Sequence, residues 1–153
     1  MNMVKPPLEN IDGELYIDGV SAIELTEKFG TPLYVVSENK IRENYRKYKD
    51  AFSRKYEKFR ILYSAKANTN LSVLRILKNE GSYVDAVSMG EVYLALKAGF
   101  KPYEILYTGI NAGDEELKYV LESGIMVNLD SLSQLKRILK LGAPNTLSMR
   151  INT

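Results

Sequence analysis

Residues 59–67 read FRILYSAKA, a short apolar run that ends in one lysine set between two alanines. Side chains on a β-strand point to opposite faces in turn, so Leu62, Ser64 and Lys66 would share one face. The run predicts a strand over residues 59–66 that places Lys66 at its carboxyl end. This strand decides the fold because it is the first of five similar runs along the chain.

The four later runs are separated by segments whose apolar residues recur every three or four positions, the spacing of a helix that buries one face. Strands that alternate with such helices indicate parallel β/α units. The five predicted strands span residues 59–66, 83–88, 104–109, 125–130 and 146–152.

A polar residue lies near the end of each predicted strand, and successive ones are roughly twenty residues apart, the length of a compact β/α unit. These residues are Lys66, Asp85, Thr108, Asp130 and Arg150. In a (β/α)8 barrel the functional side chains collect at the carboxyl ends of the strands, so the five would meet at one mouth.

The alternative architecture is an open, doubly wound sheet, which usually carries a glycine-rich turn after its first strand. The segment AKANTN that follows the first predicted strand contains no glycine. We therefore predict an α/β fold that contains about five of the eight strands of a TIM-type barrel.

The helical segments carry recognisable ends. Ser88 and Glu91 have the spacing of a capping box, in which each side chain binds the other residue's backbone N–H. Left-handed glycines are predicted just after four helices, at Gly81, Gly99, Gly124 and Gly142.

Different patterns precede the barrel-like repeat. The dipeptide Asp18-Gly19 predicts a hairpin over residues 15–20. A helix is predicted over 22–29, a strand over 32–37, and a second, longer helix over 38–53.

Composition narrows the functional classes. Lys and Arg number 21 against 19 Asp and Glu, a net charge of +2 that favours neither nucleic acid nor an anionic membrane as a partner. The chain has no cysteine and no histidine, so disulfides, thiol nucleophiles and imidazole ligands are excluded and no metal site is predicted. With no apolar run long enough to span a bilayer and no signal-peptide pattern, we expect a cytoplasmic protein that handles small molecules.

Lys66 is the leading catalytic candidate. Apolar surroundings disfavour an ammonium ion, so a lysine there can act as a neutral nucleophile and form a Schiff base with an aldehyde such as pyridoxal phosphate. A lysine that simply extends into solvent is the alternative. Asp85 could balance charge or orient a cofactor, or it could bind loop amides. Arg150 could donate to a phenolate or carboxylate, or it could pair with Asp130.

Six stretches, in order along the chain, resemble the N-terminal part of the diaminopimelate decarboxylases, which belong to the alanine-racemase-like, fold-type III group of pyridoxal-phosphate enzymes. They read FGTPLYVVSENKIRENYRKYKDAF, YSAKANTNLSVLRIL, GSYVDAVSMGEVYLALKAGF, ILYTG, MVNLDSLSQL and SMRIN. The likeness runs from about Glu14 to Asn152.

The resemblance implies a cofactor, pyridoxal 5'-phosphate, and roles for three residues. Lys66 would be the Schiff-base lysine, Asp85 the acidic residue near the cofactor, and Arg150 the arginine that approaches the phenolic oxygen of the ring. It also implies that residues 1–37 associate with a separate β-domain and that residues 38–153 form an incomplete cofactor-binding barrel. The group's phosphate loop, ring-stacking histidine and substrate-binding residues lie in the later half of those enzymes.

The activity implied is decarboxylation of meso-2,6-diaminopimelate to L-lysine by a homodimer. The chain alone would hold the covalent anchor without the rest of the site, and we expect it to be inactive alone. Alternatives are a decarboxylase for ornithine, arginine or carboxynorspermidine, an amino-acid racemase, a non-catalytic pyridoxal-phosphate carrier, and a fragment that binds protein or nucleic acid.

Overall fold

The computed structural model describes residues 7–142, 144 and 146–151. It divides into two compact units, Met1–Ala51 and Phe52–Thr153. Among the described residues, no helix is both long and apolar enough to cross a membrane.

The described part of the first unit begins with a three-stranded antiparallel sheet of β1 (Leu8–Ile11), β2 (Glu14–Ile17) and β3 (Val20–Ser21). The predicted hairpin at Asp18-Gly19 is confirmed as the turn between β2 and β3. Both turn residues have positive φ, 50° and 81°, which is the conformation that an Asp-Gly hairpin turn requires.

Strand β1 was not predicted, although its turn uses the same chemistry. Asp12 and Gly13 join β1 to β2 with φ of 52° and 88°. The dipeptide Asp12-Gly13 was therefore a second hairpin signal in the sequence.

Helix α1 (Ala22–Phe29) follows, and Ser21 caps it by accepting hydrogen bonds from the N–H groups of Ile23 and Glu24. The predicted strand over 32–37 is wrong. A strand needs a neighbour to complete its hydrogen bonds, and this segment pairs with no strand in the described ranges. The chain then enters α2 (Glu38–Ser53), which agrees with the predicted helix.

The second unit contains five parallel strands in sequence order, joined by helices. The strands are β4 (Leu62–Ser64), β5 (Tyr83–Ala86), β6 (Ile105–Tyr107), β7 (Met126–Leu129) and β8 (Leu147–Met149). The helices are α3 (Leu71–Asn79), α4 (Met89–Ala98), α5 (Asp114–Glu122) and α6 (Leu132–Leu141).

All five strands lie within the predicted runs but are shorter. Their order never reverses, whereas a doubly wound sheet reverses its strand order at a switch point. The partial β/α barrel is therefore confirmed over the doubly wound alternative.

Alternate strand residues point to two different environments. Val84, Ala86, Ile105, Tyr107 and Val127 are at most 1 % exposed and share one core with apolar side chains of the helices. Residues of the opposite parity are half-buried or exposed, among them Ser64, Asp85, Asn128 and Ser148. The polar face of the sheet is thus set by the alternation that the sequence shows.

The predicted helix ends are mostly correct. Gly81, Gly99 and Gly124 have φ of 88°, 99° and 67°, as left-handed residues should. Gly142 does not, because its backbone is extended (φ 163°) and its N–H simply closes the last turn on the Ile138 carbonyl.

Candidate functional site

A cavity of about 610 Å³ opens at the carboxyl ends of the five parallel strands. Its volume lies within the usual range of small-molecule sites. All five residues predicted to meet at the barrel mouth line it, together with three others: Lys66, Asp85, Val87, Thr108, Ile110, Asn128, Asp130 and Arg150.

Lys66 lies in a single 3-10 turn, Ala65–Ala67, directly after β4. Ala65 is completely buried, while Lys66 is exposed to the cavity. The turn is closed by the Asn68 N–H on the Ala65 carbonyl (3.1 Å) and braced by Tyr63 Oη on the Asn68 carbonyl (3.2 Å). The small residue at position 65 therefore fits the core, and the lysine is turned outward.

Two sequence expectations about Lys66 are wrong. The residue follows its strand rather than ending it, because the chain tightens into the 3-10 turn one residue earlier. Its surroundings are also mixed rather than uniformly apolar, since Asp85, Thr108 and Asn128 line the same cavity as Val87 and Ile110. The amine is accessible because it is exposed, not because it is enclosed.

The loop after Lys66 owes its shape to asparagines. Asn68 Oδ1 accepts the Asn70 N–H (2.9 Å), and Asn70 Oδ1 accepts the Ser72 N–H (2.9 Å) to cap α3. Such local side-chain bonds let a strand turn into a helix without glycine. This explains how the segment AKANTN performs the turn.

Asp85 lies at the centre of a hydroxyl network on the polar face of the sheet. Its Oδ1 accepts a hydrogen bond from Thr108 Oγ1 at 2.6 Å, and its Oδ2 accepts one from Ser64 Oγ at 3.3 Å. Ser64 is its register partner on β4, and Thr108 follows β6. One carboxylate therefore links three neighbouring chain segments.

Arg150 and Asp130 lie at the other side of the cavity. The Arg150 N–H donates to the Leu129 carbonyl (2.8 Å), which fixes the end of β8 beside the end of β7. Earlier on the same two strands, Ser148 Oγ of β8 donates to Asn128 Oδ1 of β7 at 2.7 Å. The cavity wall thus carries two cationic side chains, Lys66 and Arg150, together with two acidic ones.

Two buried polar side chains shape the loops of the mouth. Glu91 accepts the Val87 N–H at 2.8 Å, and Gln134 accepts the Asp130 N–H at 2.8 Å. Each belongs to a helix that a serine caps three residues earlier. The predicted capping box at Ser88 is therefore half correct: Ser88 binds the Glu91 N–H, but the glutamate reaches back to Val87.

Gln134 also connects two loops, because its Nε2 donates to the Gly109 carbonyl at 3.1 Å. Gly109 itself lies against the buried Tyr107 ring, where a Cβ would be 2.9 Å from Cε1 and still closer to Oη. Burial raises the pKa of Tyr107 above its usual value, and the Glu116 carboxylate raises it further. The phenol therefore stays neutral beneath the loop.

The N-terminus of α4 is already occupied by a side chain. Glu116 Oε1 accepts the Met89 N–H at 2.8 Å. A helix N-terminus is a common place for a phosphate, and this carboxylate takes that position on α4.

Sequence reasoning missed some cavity residues. Asn128 lies two positions before Asp130 on β7, so strand parity already places it on the polar face. Val87 and Ile110 carry no such signal, because their positions depend on how the loops fold. In the part of the chain that the structure describes, no group of three acidic side chains could hold a metal ion.

Comparison with known proteins identifies related chains. Residues 38–153 match the family of pyridoxal-dependent decarboxylases in its pyridoxal binding domain. The chain is 53% identical over 150 residues to a diaminopimelate decarboxylase of Methanothermobacter thermautotrophicus, with 96% of this chain and 35% of that protein aligned. It therefore spans about a third of the length of the curated relatives it matches.

Solved structures give the same result. A crystal structure of diaminopimelate decarboxylase from M. jannaschii superposes with a TM-score of 0.89 at 41% identity, covering 95% of this chain and 36% of that one. Another, in complex with L-lysine, gives a TM-score of 0.84 at 42% identity and covers 88% and 32% of the two chains.

Proposed function

Because the chain belongs to the pyridoxal-dependent decarboxylases, with residues 38–153 in their pyridoxal-binding domain, we propose that Lys66 is the covalent anchor for pyridoxal 5'-phosphate in a diaminopimelate decarboxylase. One observation supports this most directly: the exposed Lys66 amine shares a cavity of about 610 Å³ with Asp85 and Arg150. The names of the relatives support the substrate.

The described cavity fits the cofactor's chemistry. An aldehyde needs an accessible amine, and Lys66 is exposed in the cavity wall. A phenolic oxygen needs a donor, and the Arg150 guanidinium can supply one from the end of β8. The bound cofactor supplies an electron sink for the bond that breaks.

Each proposed residue has one task. Lys66 would hold the cofactor covalently through its Nζ atom. Arg150 would hold the ring by donating to its phenolic oxygen. Asp85 presents a fixed negative charge on the floor of the cavity, held by two hydroxyls.

The substrate is proposed to be meso-2,6-diaminopimelate, with L-lysine as the product. The relative whose structure contains L-lysine carries a stretch of chain that is 42% identical to this one. Since this chain spans only about a third of its relatives, we also propose that these 153 residues do not complete the site. The complete enzyme is proposed to be a cytoplasmic homodimer, which sedimentation analysis can test.

Covalent labelling tests the anchor. We expect pyridoxal phosphate to produce a visible absorbance band with the protein, and borohydride to reduce the cofactor onto Lys66, located by peptide mass spectrometry. Lys66→Arg should abolish the label. Lys97→Arg is the matched control, because Lys97 lies on α4 over the Tyr93 ring and does not line the cavity. A label spread over many lysines would refute the proposed anchor.

Substrate choice is tested separately on the full-length enzyme. We expect CO₂ release from meso-2,6-diaminopimelate to exceed release from ornithine or arginine. Faster release from ornithine or arginine would keep the family and reject the substrate.

A further inference from the structure

Two hydroxyls hold the Asp85 carboxylate from both sides. Thr108 Oγ1 lies 2.6 Å from Oδ1, and Ser64 Oγ lies 3.3 Å from Oδ2, so each oxygen has its own partner. An ionised carboxylate can only accept hydrogen bonds, so both hydroxyl protons must point toward Asp85. The shorter distance is in the range of a charge-assisted bond, which is stronger than a neutral one.

The stronger donor is itself held in place. The Thr108 N–H donates to the Ala86 carbonyl at 2.8 Å, which extends the β5–β6 ladder by one residue. The next residue, Gly109, has its carbonyl bound by Gln134 Nε2 at 3.1 Å. A β-branched side chain on a fixed backbone has few rotamers, so the hydroxyl is preorganised.

This arrangement matters because Asp85 shares its cavity with two cations, Lys66 and Arg150. Opposite charges that line one cavity attract each other, and a freely rotating carboxylate is drawn toward the Lys66 ammonium group. Within the described residues, no carboxylate lies within 4.0 Å of Lys66 Nζ. The lysine is therefore not held in an ion pair.

We propose that Ser64 and Thr108 are positioning residues that hold the Asp85 carboxylate away from Lys66, so that the amine stays available to the cofactor's aldehyde. This inference rests on the proposed function of Lys66. It assigns a task to two hydroxyls that do not themselves react.

The test measures the rate at which pyridoxal phosphate attaches to Lys66 in the full-length apoenzyme, followed by the visible absorbance band and by borohydride trapping at Lys66. A hydrogen bond to a charged group contributes enough that Thr108→Val should slow attachment about tenfold. Ser64→Ala should slow it less, because its bond is longer. Thr108→Ser keeps the hydroxyl and should restore most of the rate.

A double-mutant cycle separates positioning from a general structural effect. If Thr108 acts through Asp85, Thr108→Val should have no further effect in a protein that already carries Asp85→Asn. Ser123→Ala is the matched control, since within the described ranges that hydroxyl binds only the Tyr119 carbonyl at the end of α5. It should leave the rate unchanged.

The outcomes are distinguishable. No cofactor attachment to wild-type Lys66 would reject the proposed function. Normal attachment in the wild type, with Thr108→Val and Ser64→Ala within twofold of it, would reject only this inference. Additive effects of Thr108→Val and Asp85→Asn would also reject it. If Thr108→Val fails to fold, Ser64→Ala in the same cycle decides between these outcomes.

Discussion

Replacing Gly109 with alanine should destabilise the protein sharply. The added Cβ would lie 2.9 Å from Tyr107 Cε1 and even closer to Oη, well inside normal contact distances. Tyr107 is completely buried, so its ring cannot swing into solvent to make room. Either the ring or the loop must move.

The size of the effect can be worked out for a movement of the ring and for a movement of the loop. An extra methyl group in a packed region typically costs about 1–3 kcal/mol. If the loop moves instead, the bond from Gln134 Nε2 to the Gly109 carbonyl is lost, which adds about 1 kcal/mol. We therefore expect the free energy of unfolding to fall by about 2–4 kcal/mol.

Urea unfolding of the full-length protein, followed by circular dichroism, measures this change. Gly113→Ala is the control in the same loop, because nothing lies within 4 Å of its added Cβ and its φ is −70°. Gly113 is the N-cap of α5, where alanine is a poorer cap than glycine, so that variant should lower the free energy of unfolding by about 0.5–1 kcal/mol, well below the effect of Gly109→Ala.

A second variant tests the cause. Tyr107→Phe removes the oxygen nearest to the added Cβ but leaves the ring, so it should recover part of the loss in Gly109→Ala. The two substitutions should then be non-additive by about 1 kcal/mol. Ordinary surface substitutions change the free energy of unfolding by up to about 0.5 kcal/mol. A Gly109→Ala change no larger than that would refute this reasoning.

Three further predictions concern the same unit. Gln134→Leu should lower the free energy of unfolding by about 2–4 kcal/mol in urea, because it leaves the Asp130 N–H and the Gly109 carbonyl without their partner. Gln134→Glu keeps the acceptor for Asp130 but buries a carboxylate oxygen against the Gly109 carbonyl, so it should be at least as destabilising. Ser131→Ala removes the N-cap of α6 and should lower the free energy of unfolding by about 1 kcal/mol. An unchanged melting temperature would contradict that. Burial raises the pKa of Tyr107, so the folded state holds the phenol proton more tightly than the unfolded state does. The stability that this proton contributes is complete below about pH 10 and declines as the pH rises further. Tyr107→Phe should weaken this alkaline decline in urea midpoints measured from pH 8 to 11.

Much of the second unit could be predicted from sequence because its signals are local. The strand at Lys66 and the four later strands follow from short apolar runs and from helical spacing between them. The Asp-Gly turn at residues 18 and 19 follows from the conformations that glycine and aspartate tolerate. These features need no knowledge of distant contacts.

The failures share a different origin. The segment 32–37 has the composition of a strand, but composition cannot supply the neighbour that a strand requires. Gly142 follows a helix as the other glycines do, yet its backbone is extended. The environment of Lys66 was mistaken because an apolar strand before a residue says little about which side chains will face it.

Buried polar side chains were the least predictable part of the site. Glu91 and Gln134 have the sequence spacing of helix caps, and nothing in that spacing shows that they reach back to Val87 and Asp130. The bond from Gln134 to Gly109 joins residues 25 positions apart. Its existence depends on the packing of α6 beside the preceding loop.

Residue pattern alone predicts that Lys66, Asp85 and Arg150 gather near the carboxyl ends of parallel strands, because strand parity and the β/α repeat are properties of the local chain. The three-dimensional arrangement adds the partners: Thr108 and Ser64 on Asp85, and an exposed turn that presents Lys66. Hydrogen bonds across a sheet depend on the register between segments about twenty residues apart. The conformation of a loop end depends on side chains from other β/α repeats of the barrel that pack against it. Local sequence encodes which residues reach the mouth, and tertiary packing decides how each is held there.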